Sequence, residues 1–232
     1  MSENYAAHIS DYHVLAQNYS NIGFSPSEYV KLNYTVFRFK FGICILFIGD
    51  WYTVHHSLRL YGQNQHRMIH LYMDLARLTK IPVIGHIVRW TANVYAKFGH
   101  AGYYLSLAEA EQIVDAAENV SLGPCSCREE FNNCDHPVMS EIVLGKGGGE
   151  VYATRVKEFR HISREEAKNV LREAHAKHLT QSIMRCGDHF YALCNCCTCC
   201  CVPTRLRRDY GVGMALVRNV NVVQDFQRQQ LD

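Results

Sequence analysis

The spacing of apolar residues predicts two helices in the middle of the chain. Between residues 65 and 99, apolar positions recur at three- and four-residue intervals in HRMIHLYMDLARL and again in VIGHIVRWTANVYAKFG, with TKIP between them. This period is typical of amphipathic helices, and Gly99 is placed to end the second one. Two interpretations stay open: the helices pack a core, or they form an amphipathic surface for a membrane or a partner. In the second, Trp90, Tyr95, Arg89 and Lys97 lie near the interface.

The first 64 residues are rich in aromatic side chains. FSPSEYVKL predicts a helix start, because Ser25 can cap it, Pro26 suits the first helical position and Glu28 adds negative charge to the first turn. The segment YTVFRFKFGICILFIGDWYTV begins with alternation and becomes continuously apolar, which fits a strand, a buried helix or a surface-inserted segment. Its run FGICILFIG is about half of the roughly 20 residues that a membrane-spanning helix needs.

The second half of the chain contains an internal repeat. SLAEAEQIVDAAENV begins at Ser106 and SREEAKNVLREAHAK begins at Ser163, and both open with Ser-x-x-Glu before an apolar stripe. This is the capping-box pattern of a helix start. Each helix is followed by a predicted short strand and then by C-x-C, with a hairpin turn at Cys186–Gly187–Asp188 in the second copy. We therefore expect two related helix–strand–cysteine-loop units that bring the two C-x-C pairs together about a pseudo-twofold axis.

Two segments of the second half have other expected roles. GKGGGE, residues 145–150, predicts a turn or a mobile loop, because its spacing is not that of a phosphate-binding loop and no Ser or Thr follows the lysine. The domain expectation is a mainly helical contact region over residues 1–103, followed by a cysteine-rich domain over residues 104–232. The fold class that follows is α+β.

Composition and charge limit the classes of binding partner and the cellular location that we expect for this protein. The net charge of +2 over 232 residues gives no polyanion signal, so nucleic acid is not expected as a partner. The N-terminus lacks a basic start followed by an apolar run, which predicts a cytoplasmic protein without a secretory signal. The helices of residues 65–99 add the alternative of peripheral contact at the inner face of the membrane.

Cysteine is concentrated in two blocks. Ten of the eleven cysteines follow residue 124, and ALCNCCTCCC, from Ala192 to Cys201, has six thiols in eight consecutive positions; Cys44 stands apart and is expected in the core. Disulfides are rare in the cytosol, and neighbours this close cannot easily pair. Because crowded thiolates repel unless a cation neutralises them, the pattern predicts a metal centre with these ligands: Cys125, Cys127, Cys134, Cys194, Cys196, Cys197, Cys199, Cys200 and Cys201.

The cofactor interpretation favours iron and sulfide. C-x-C and C-C spacings are poor zinc knuckles but suit polynuclear clusters, so one or two [4Fe-4S] clusters are the leading expectation. Zinc is the alternative. Arg128, directly after a cysteine, is expected to tune such a cluster, and Asn195 either donates to a cluster sulfur or shapes the loop.

The two cysteine blocks resemble a little-characterised family of anaerobe-associated iron–sulfur proteins. GPCSCREEFNNCDHPV followed by LCNCCTCCC is similar to the family pattern C-x-C-R, C-D-x-P and C-N-C-C-x-C-C, over roughly residues 104–220. Family members have a further cysteine shortly after C-D-x-P, where this chain has Ser140 and Glu141. The first block is thus one thiolate short, and the fourth ligand comes from the second block or from Asp135 or His136.

Three functions follow from these expectations. The leading one is electron transfer within a redox complex, with a redox protein as partner. The second is catalysis at an incompletely thiolate-ligated cluster, and the third is a structural zinc-binding adaptor. An oligomer is compatible with all three, and the sequence leaves open whether the protein is an enzyme.

Overall fold

The computed structural model describes residues 51–187 and 189–231. The predicted helix start at Ser25 and the expected core position of Cys44 lie outside this part of the chain, as does most of the ambiguous apolar segment of residues 34–54. The described residues belong to one compact unit.

Helices and strands alternate along the described chain. The helices are α1 (Trp51–Arg77), α2 (Ile84–Phe98), α3 (Leu107–Ala116), α4 (Ser126–Phe131), α5 (Gly145–Thr154), α6 (Arg164–Ala176), α7 (Val202–Tyr210) and α8 (Val222–Leu231). The strands are β1 (His100–Tyr104), β2 (Val120–Pro124), β3 (Met139–Leu144), β4 (Arg160–His161), β5 (Thr180–Cys186), β6 (His189–Cys196) and β7 (Leu216–Arg218). The α+β class is therefore confirmed, and the two helices expected between residues 65 and 99 are α1 and α2. Gly99 caps the end of α2.

All seven strands join in one sheet of order β4-β2-β3-β6-β5-β1-β7. Only β1 and β7 pair in parallel, and the remaining neighbours are antiparallel. The hairpin between β5 and β6 passes through Gly187, whose φ of +56° suits a residue without a side chain. The expected hairpin at this position is confirmed.

The sheet order reveals how the internal repeat is built. Each copy runs strand, helix, strand, strand, but its first strand crosses over to pair within the other copy: β1 joins β5, and β4 joins β2. The registers match, because Tyr104 faces Ser182 and His161 faces Ser121. Tyr104 and His161 each stand two residues before a capping serine. The two copies thus exchange strands about a pseudo-twofold axis that passes beside the central pair of β3 and β6.

Both helices of the repeat begin at the predicted serine. The Ser106 hydroxyl accepts a hydrogen bond from the N–H of Glu109. The Glu109 carboxylate in turn accepts from the Ser106 N–H at 2.8 Å, and this second bond completes the capping box. Ser163 accepts from the N–H of Glu166 at 3.1 Å, but the Glu166 carboxylate pairs with Arg160 instead. The second copy therefore has the cap without the reciprocal half.

The main core lies on one face of the sheet, under α3, α6 and α8. Ile142 and Leu193 occupy opposite positions on the two central strands, and neither is exposed to solvent. Ile113, Leu171 and Phe226 bring the three helices onto them. The repeat axis passes beside the pair Ile142 and Leu193, so both copies contribute to this core.

The segment GKGGGE is not the predicted turn or mobile loop but the start of α5. The helix packs so closely on the sheet that a Cβ at Gly147 would stand 2.5 Å from the Phe190 carbonyl oxygen, and one at Gly148 would stand 2.9 Å from that of Tyr191. Glycine therefore serves close packing of helix on sheet here. Gly145 begins the helix with a φ of +64°.

Helix α2 leaves a row of apolar side chains exposed. Ile84, Ile87 and Trp90 are 51%, 64% and 69% exposed, and Val83 before the helix is 75% exposed. These residues do not fill the core of the described unit, so the core-packing interpretation does not hold for this face. Within the described residues, no helix is both long and apolar enough to cross a membrane. The sequence-derived domain boundary at residues 103 and 104 falls inside β1.

Candidate metal centre

Four thiols converge into one compact group, which we call the compact site. Their sulfur atoms all lie within 4.8 Å of one another. Cys134 comes from the loop between α4 and β3, and the other three come from the turn between β6 and α7. The Cys134 sulfur stands 3.7 Å from that of Cys200, which stands 3.8 Å from that of Cys199. The members of the compact site are Cys134, Cys197, Cys199 and Cys200.

The spacing within the compact site fits one tetrahedral metal ion. A metal–sulfur bond of about 2.3 Å in tetrahedral geometry places two sulfurs about 3.8 Å apart. The two sulfur–sulfur distances at Cys200 match this value. In a four-iron cluster each thiolate binds a different iron atom, so its sulfurs stand farther apart. The compact site is therefore compatible with a metal centre and has the dimensions of a single-ion site.

The backbone of the compact site prepares one thiol to ionise. Burial by itself would raise the pKa of Cys197, but the N–H groups of Cys200 and Cys201 and the thiols of Cys199 and Cys134 hydrogen-bond to it and lower its pKa to about 6. The Cys200 N–H donates to the Cys197 sulfur over 3.4 Å. Burial raises the pKa of Cys200 to about 11. The first metal–sulfur bond is thus expected at Cys197.

The other five predicted ligands form a second group, which we call the inner pocket. Strands β2 and β6 both run antiparallel to β3, so they run in the same direction and the cysteines at their ends lie at the same edge of the sheet. Cys201, which directly precedes α7, is the remaining member of the group. Among the described residues, no three of these thiols lie within 4.8 Å of one another. The members of the inner pocket are Cys125, Cys127, Cys194, Cys196 and Cys201.

The two C-x-C pairs share this edge but are not related by the repeat axis. From the register around Ser121 and Ser182, the repeat partner of Cys125 is Cys186 at the end of β5. The position matching Cys194 is Val143. The expectation of symmetric C-x-C pairs is therefore wrong, and the parallel direction of β2 and β6 is what brings the pairs together.

Burial holds the inner thiols in the neutral form when no metal is bound. It raises the pKa of Cys125 to about 12 and that of Cys127 well above its usual range. The neighbouring Cys196 thiol raises the pKa of Cys201 well above its usual range, and burial adds to this. The Cys194 pKa is also about 12, because burial and nearby negative charge outweigh a hydrogen bond from Cys196. All ten described cysteines are free thiols.

A buried arginine lies between the two groups. The Arg128 side chain is 1% exposed, and its terminal nitrogens donate to the carbonyl oxygens of Pro137 and Asn195 and, over 2.9 Å, to the Ser140 hydroxyl. The thiols of Cys125, Cys197 and Cys196 are close enough to the guanidinium to raise its pKa. The predicted tuning of a cofactor by Arg128 stays a prediction, but the cation lies where it would act.

Asn195 holds the loop rather than a sulfur. Its side-chain nitrogen donates to the Ser140 carbonyl oxygen over 2.9 Å, and its side-chain oxygen accepts from Gln181. Of its two expected roles, these contacts match the shaping of the loop. Cys186 lies buried at the end of β5, outside both thiol groups.

The groups near the missing family cysteine lie around the inner pocket. The Ser140 hydroxyl accepts a hydrogen bond from Arg128. Glu141 is buried and accepts from the Ser126 N–H and from Gln65, and Arg155 is its cationic neighbour. Asp135 is exposed, and neither it nor His136 belongs to the compact site. Sequence reasoning missed Ser182, whose hydroxyl lies 3.2 Å from the Cys196 sulfur. Only the strand register, which pairs Ser182 with Cys194, could have revealed it.

A pair of histidines on α1 has a structural partner. His66 and His70, four residues apart, both contact the Glu130 carboxylate, at 2.6 and 2.7 Å. His66 also approaches Glu129 and Glu158, but Arg155 pairs with both of these carboxylates. The charges around His66 are thus balanced by an arginine, which favours an ion-pair network that joins α1 to α4.

Comparison with known proteins returned no relative: no family model matches this chain, and neither a curated protein nor a solved structure is similar to it.

Proposed function

We propose that the protein is an iron-binding electron-transfer protein whose metal is held by thiolates. The observation that carries this is the compact site, in which four thiols from two distant segments meet at single-ion spacing. The resemblance of the cysteine blocks to an iron–sulfur family supports iron as the metal. Cys134 and Cys197 are separated by 63 positions in the chain, so their meeting is a property of the fold.

The compact site has the features that electron transfer requires. Four thiolates fill the tetrahedron around an ion, so its coordination need not change when the ion gains or loses an electron. Cys134 and Cys199 are half-buried, whereas Cys197 and Cys200 are buried. The ion would therefore lie close to the surface, within reach of a redox partner, while most of its ligand shell is protected from water.

An iron–sulfur cluster with inorganic sulfide is part of the same proposal. Its thiolates must be spread more widely than those of the compact site. In the described chain no three thiols of the inner pocket lie within 4.8 Å of one another, which supports a cluster there over a single ion, and Arg128 supplies positive charge beside them. One or two [4Fe-4S] clusters, as the cysteine spacing suggests, would draw at least one set of ligands from this pocket.

A structural zinc site is the second candidate, favoured by the same distances. Zinc and iron form tetrathiolate sites of similar size, so the 3.7 and 3.8 Å spacings fit both metals. Catalysis at an incompletely ligated metal has less support, because a catalytic ion needs an open position and the compact site offers four thiols.

The exposed apolar row of Val83, Ile84, Ile87 and Trp90 supports contact with a redox protein or a membrane surface as part of this proposal. Trp is enriched at both kinds of interface, and apolar side chains line the buried face of helices that lie on membranes.

Anaerobic purification with iron, zinc and sulfide counted per chain tests the proposal. We expect bound iron, and we expect Cys134→Ser and Cys200→Ser to lose one ion per chain. Cys186→Ala is the matched control, because Cys186 is buried but lies outside both thiol groups. Zinc in place of iron would support the structural candidate, and unchanged metal content in both serine variants would refute the compact site.

A further inference from the structure

We infer that the inner pocket holds a second metal centre, a sulfide-bridged iron cluster separate from the compact site, with Cys125, Cys127, Cys196 and Cys201 as its ligands. This deepens the proposed function and rests on it.

The pocket is built where four chain elements end or begin. Cys196 ends β6, and Cys201 precedes α7. Cys125 follows β2 and directly precedes α4, whose first turn contains Cys127. The thiols of Cys196 and Cys201 are close enough to influence each other's pKa, and the charge of Cys201 reaches both Cys125 and Cys127. Two segments that are distant in the sequence, the junction of β2 with α4 and the turn from β6 to α7, thus bring four sulfurs together.

Donors surround these sulfurs as they would surround an anionic cluster. Backbone N–H groups lie close enough to three of them to lower the pKa of each thiol: that of Arg128 near Cys125, that of Val202 near Cys127 and that of Thr204 near Cys201. The fourth, Cys196, has the Ser182 hydroxyl at 3.2 Å. Hydrogen bonds to the sulfurs stabilise iron–sulfur clusters and set their potentials.

An unused donor beside the pocket points to an absent anion. Among the described residues, the Nε of Arg128 meets no hydrogen-bond acceptor although the side chain is buried. The guanidinium lies beside Cys125 and Cys196. A buried donor without a partner costs free energy, and it would be satisfied by the negative charge of a bound cluster.

The spacing separates the two centres by type. The compact site has single-ion distances, whereas no three thiols of the inner pocket come within 4.8 Å of one another in the described chain. A cluster in which each thiolate binds its own iron atom needs sulfurs that do not converge on one point, and its binding would move the neighbouring thiols of Cys196 and Cys201 apart. Cys194 is the fifth thiol, and its contact with Cys196 makes it a neighbour of the cluster rather than a required ligand.

Differential alkylation of the wild-type chain tests this without a substitution. The metal-free protein is loaded anaerobically with Zn²⁺ alone or with Fe²⁺ and sulfide, and protected cysteines are mapped by mass spectrometry. Zinc alone is expected to protect Cys134, Cys197, Cys199 and Cys200, and iron with sulfide is expected to extend protection to the inner pocket. Equal protection under both conditions would overturn the inference.

Two double variants separate this inference from the proposed function. After loading with iron and sulfide, Cys134→Ser/Cys200→Ser is expected to keep about four sulfides per chain and the electron paramagnetic resonance signal of a reduced cluster. Cys127→Ser/Cys201→Ser is expected to lose the sulfide and keep one iron ion, and Cys186→Ala should retain both. Sulfide retained by Cys127→Ser/Cys201→Ser would refute the second centre and leave the compact site standing. Loss of all iron from every form would refute both.

Discussion

The guanidinium of Arg128 lies close enough to the sulfur of Cys197 to raise its own pKa, and it lies between the inner pocket and the compact site. Three acceptors fix its position: the carbonyl oxygens of Pro137 and Asn195 and the Ser140 hydroxyl. A tetrathiolate site with a divalent ion carries a net charge of about −2. Because Arg128 is buried, its charge acts on these sulfurs with little screening by water.

Replacing Arg128 by Met is expected to lower the reduction potential of the bound iron. Loss of a buried positive charge destabilises the reduced form. We expect a shift on the order of 60 mV, which corresponds to a tenfold change in the equilibrium constant of a one-electron couple. Arg128→Lys keeps the charge but not the fork of donors, so its potential should fall less. Redox titration followed by absorbance measures both.

The matched control for this prediction is Arg172→Met, because Arg172 is an exposed arginine that pairs with Glu111 and Glu165 on the far side of the repeat helices. Its potential should equal that of the wild type. A higher potential in Arg128→Met would contradict the placement of this cation beside the metal.

The two helix caps of the repeat should differ in strength. Ser106 has the full capping box, whereas Glu166 in the second copy is diverted to Arg160. Loss of a cap costs about 1 kcal/mol of unfolding free energy. Ser106→Ala is expected to cost more than Ser163→Ala, and Glu109→Gln more than Glu166→Gln, in urea titrations of the metal-loaded protein. Equal costs in the two copies would show that the reciprocal half of the box contributes little.

The sequence predicted the repeat because capped, amphipathic helices leave a local pattern. Ser106 and Ser163 begin their helices as expected, and the ligand-rich blocks meet in space. The exchange of first strands could not be predicted from the sequence, because it depends on which strands pair, and strand pairing is a non-local property. For the same reason the repeat suggested symmetric C-x-C pairs, whereas the fold relates Cys125 to Cys186.

The division of the nine cysteines into two groups could not be predicted from the sequence either. Cys196 and Cys197 are adjacent, yet the first faces the inner pocket and the second belongs to the compact site. The chain leaves β6 at Cys196 and turns there, so side chains on either side of that point diverge. The spacing of cysteines in the sequence does not reveal this turn: the adjacent residues Cys196 and Cys197 separate, whereas the adjacent residues Cys199 and Cys200 both belong to the compact site.

His100 should make the protein less stable in mild acid. Burial lowers its pKa from 6.5 to about 4, and Arg185 adds to the shift; Tyr61, Tyr72 and Tyr191 surround its ring. Between these two pKa values the unfolded chain binds a proton at His100 and the folded chain does not. The contribution of His100 to the free energy of unfolding is therefore complete above pH 6.5 and is lost as the pH falls toward 4. The loss between pH 7 and pH 5 is about 2 kcal/mol.

Urea unfolding at the two pH values, with His100→Gln as the reference, isolates this contribution. The metal ligands titrate equally in both forms, so the difference between the wild type and His100→Gln should shrink by about 2 kcal/mol at pH 5. A difference that does not depend on pH would mean that His100 accepts a proton in the folded state without penalty.

The run of three glycines that opens α5 offers a matched pair of substitutions. Gly147 faces the sheet, where an added Cβ would meet the Phe190 carbonyl oxygen at 2.5 Å, whereas Gly149 faces solvent with nothing of the described chain within 4 Å of its Cβ position. Gly149→Ala is expected to raise the unfolding free energy by about 1 kcal/mol, because alanine has the higher helix propensity. Gly147→Ala gains the same propensity but must push the helix from the backbone of β6, and overpacking of this kind costs about 1–3 kcal/mol. Opposite signs in urea titrations would confirm that close packing explains the glycines, whereas stabilisation by both substitutions would show that this segment does not lie against the sheet.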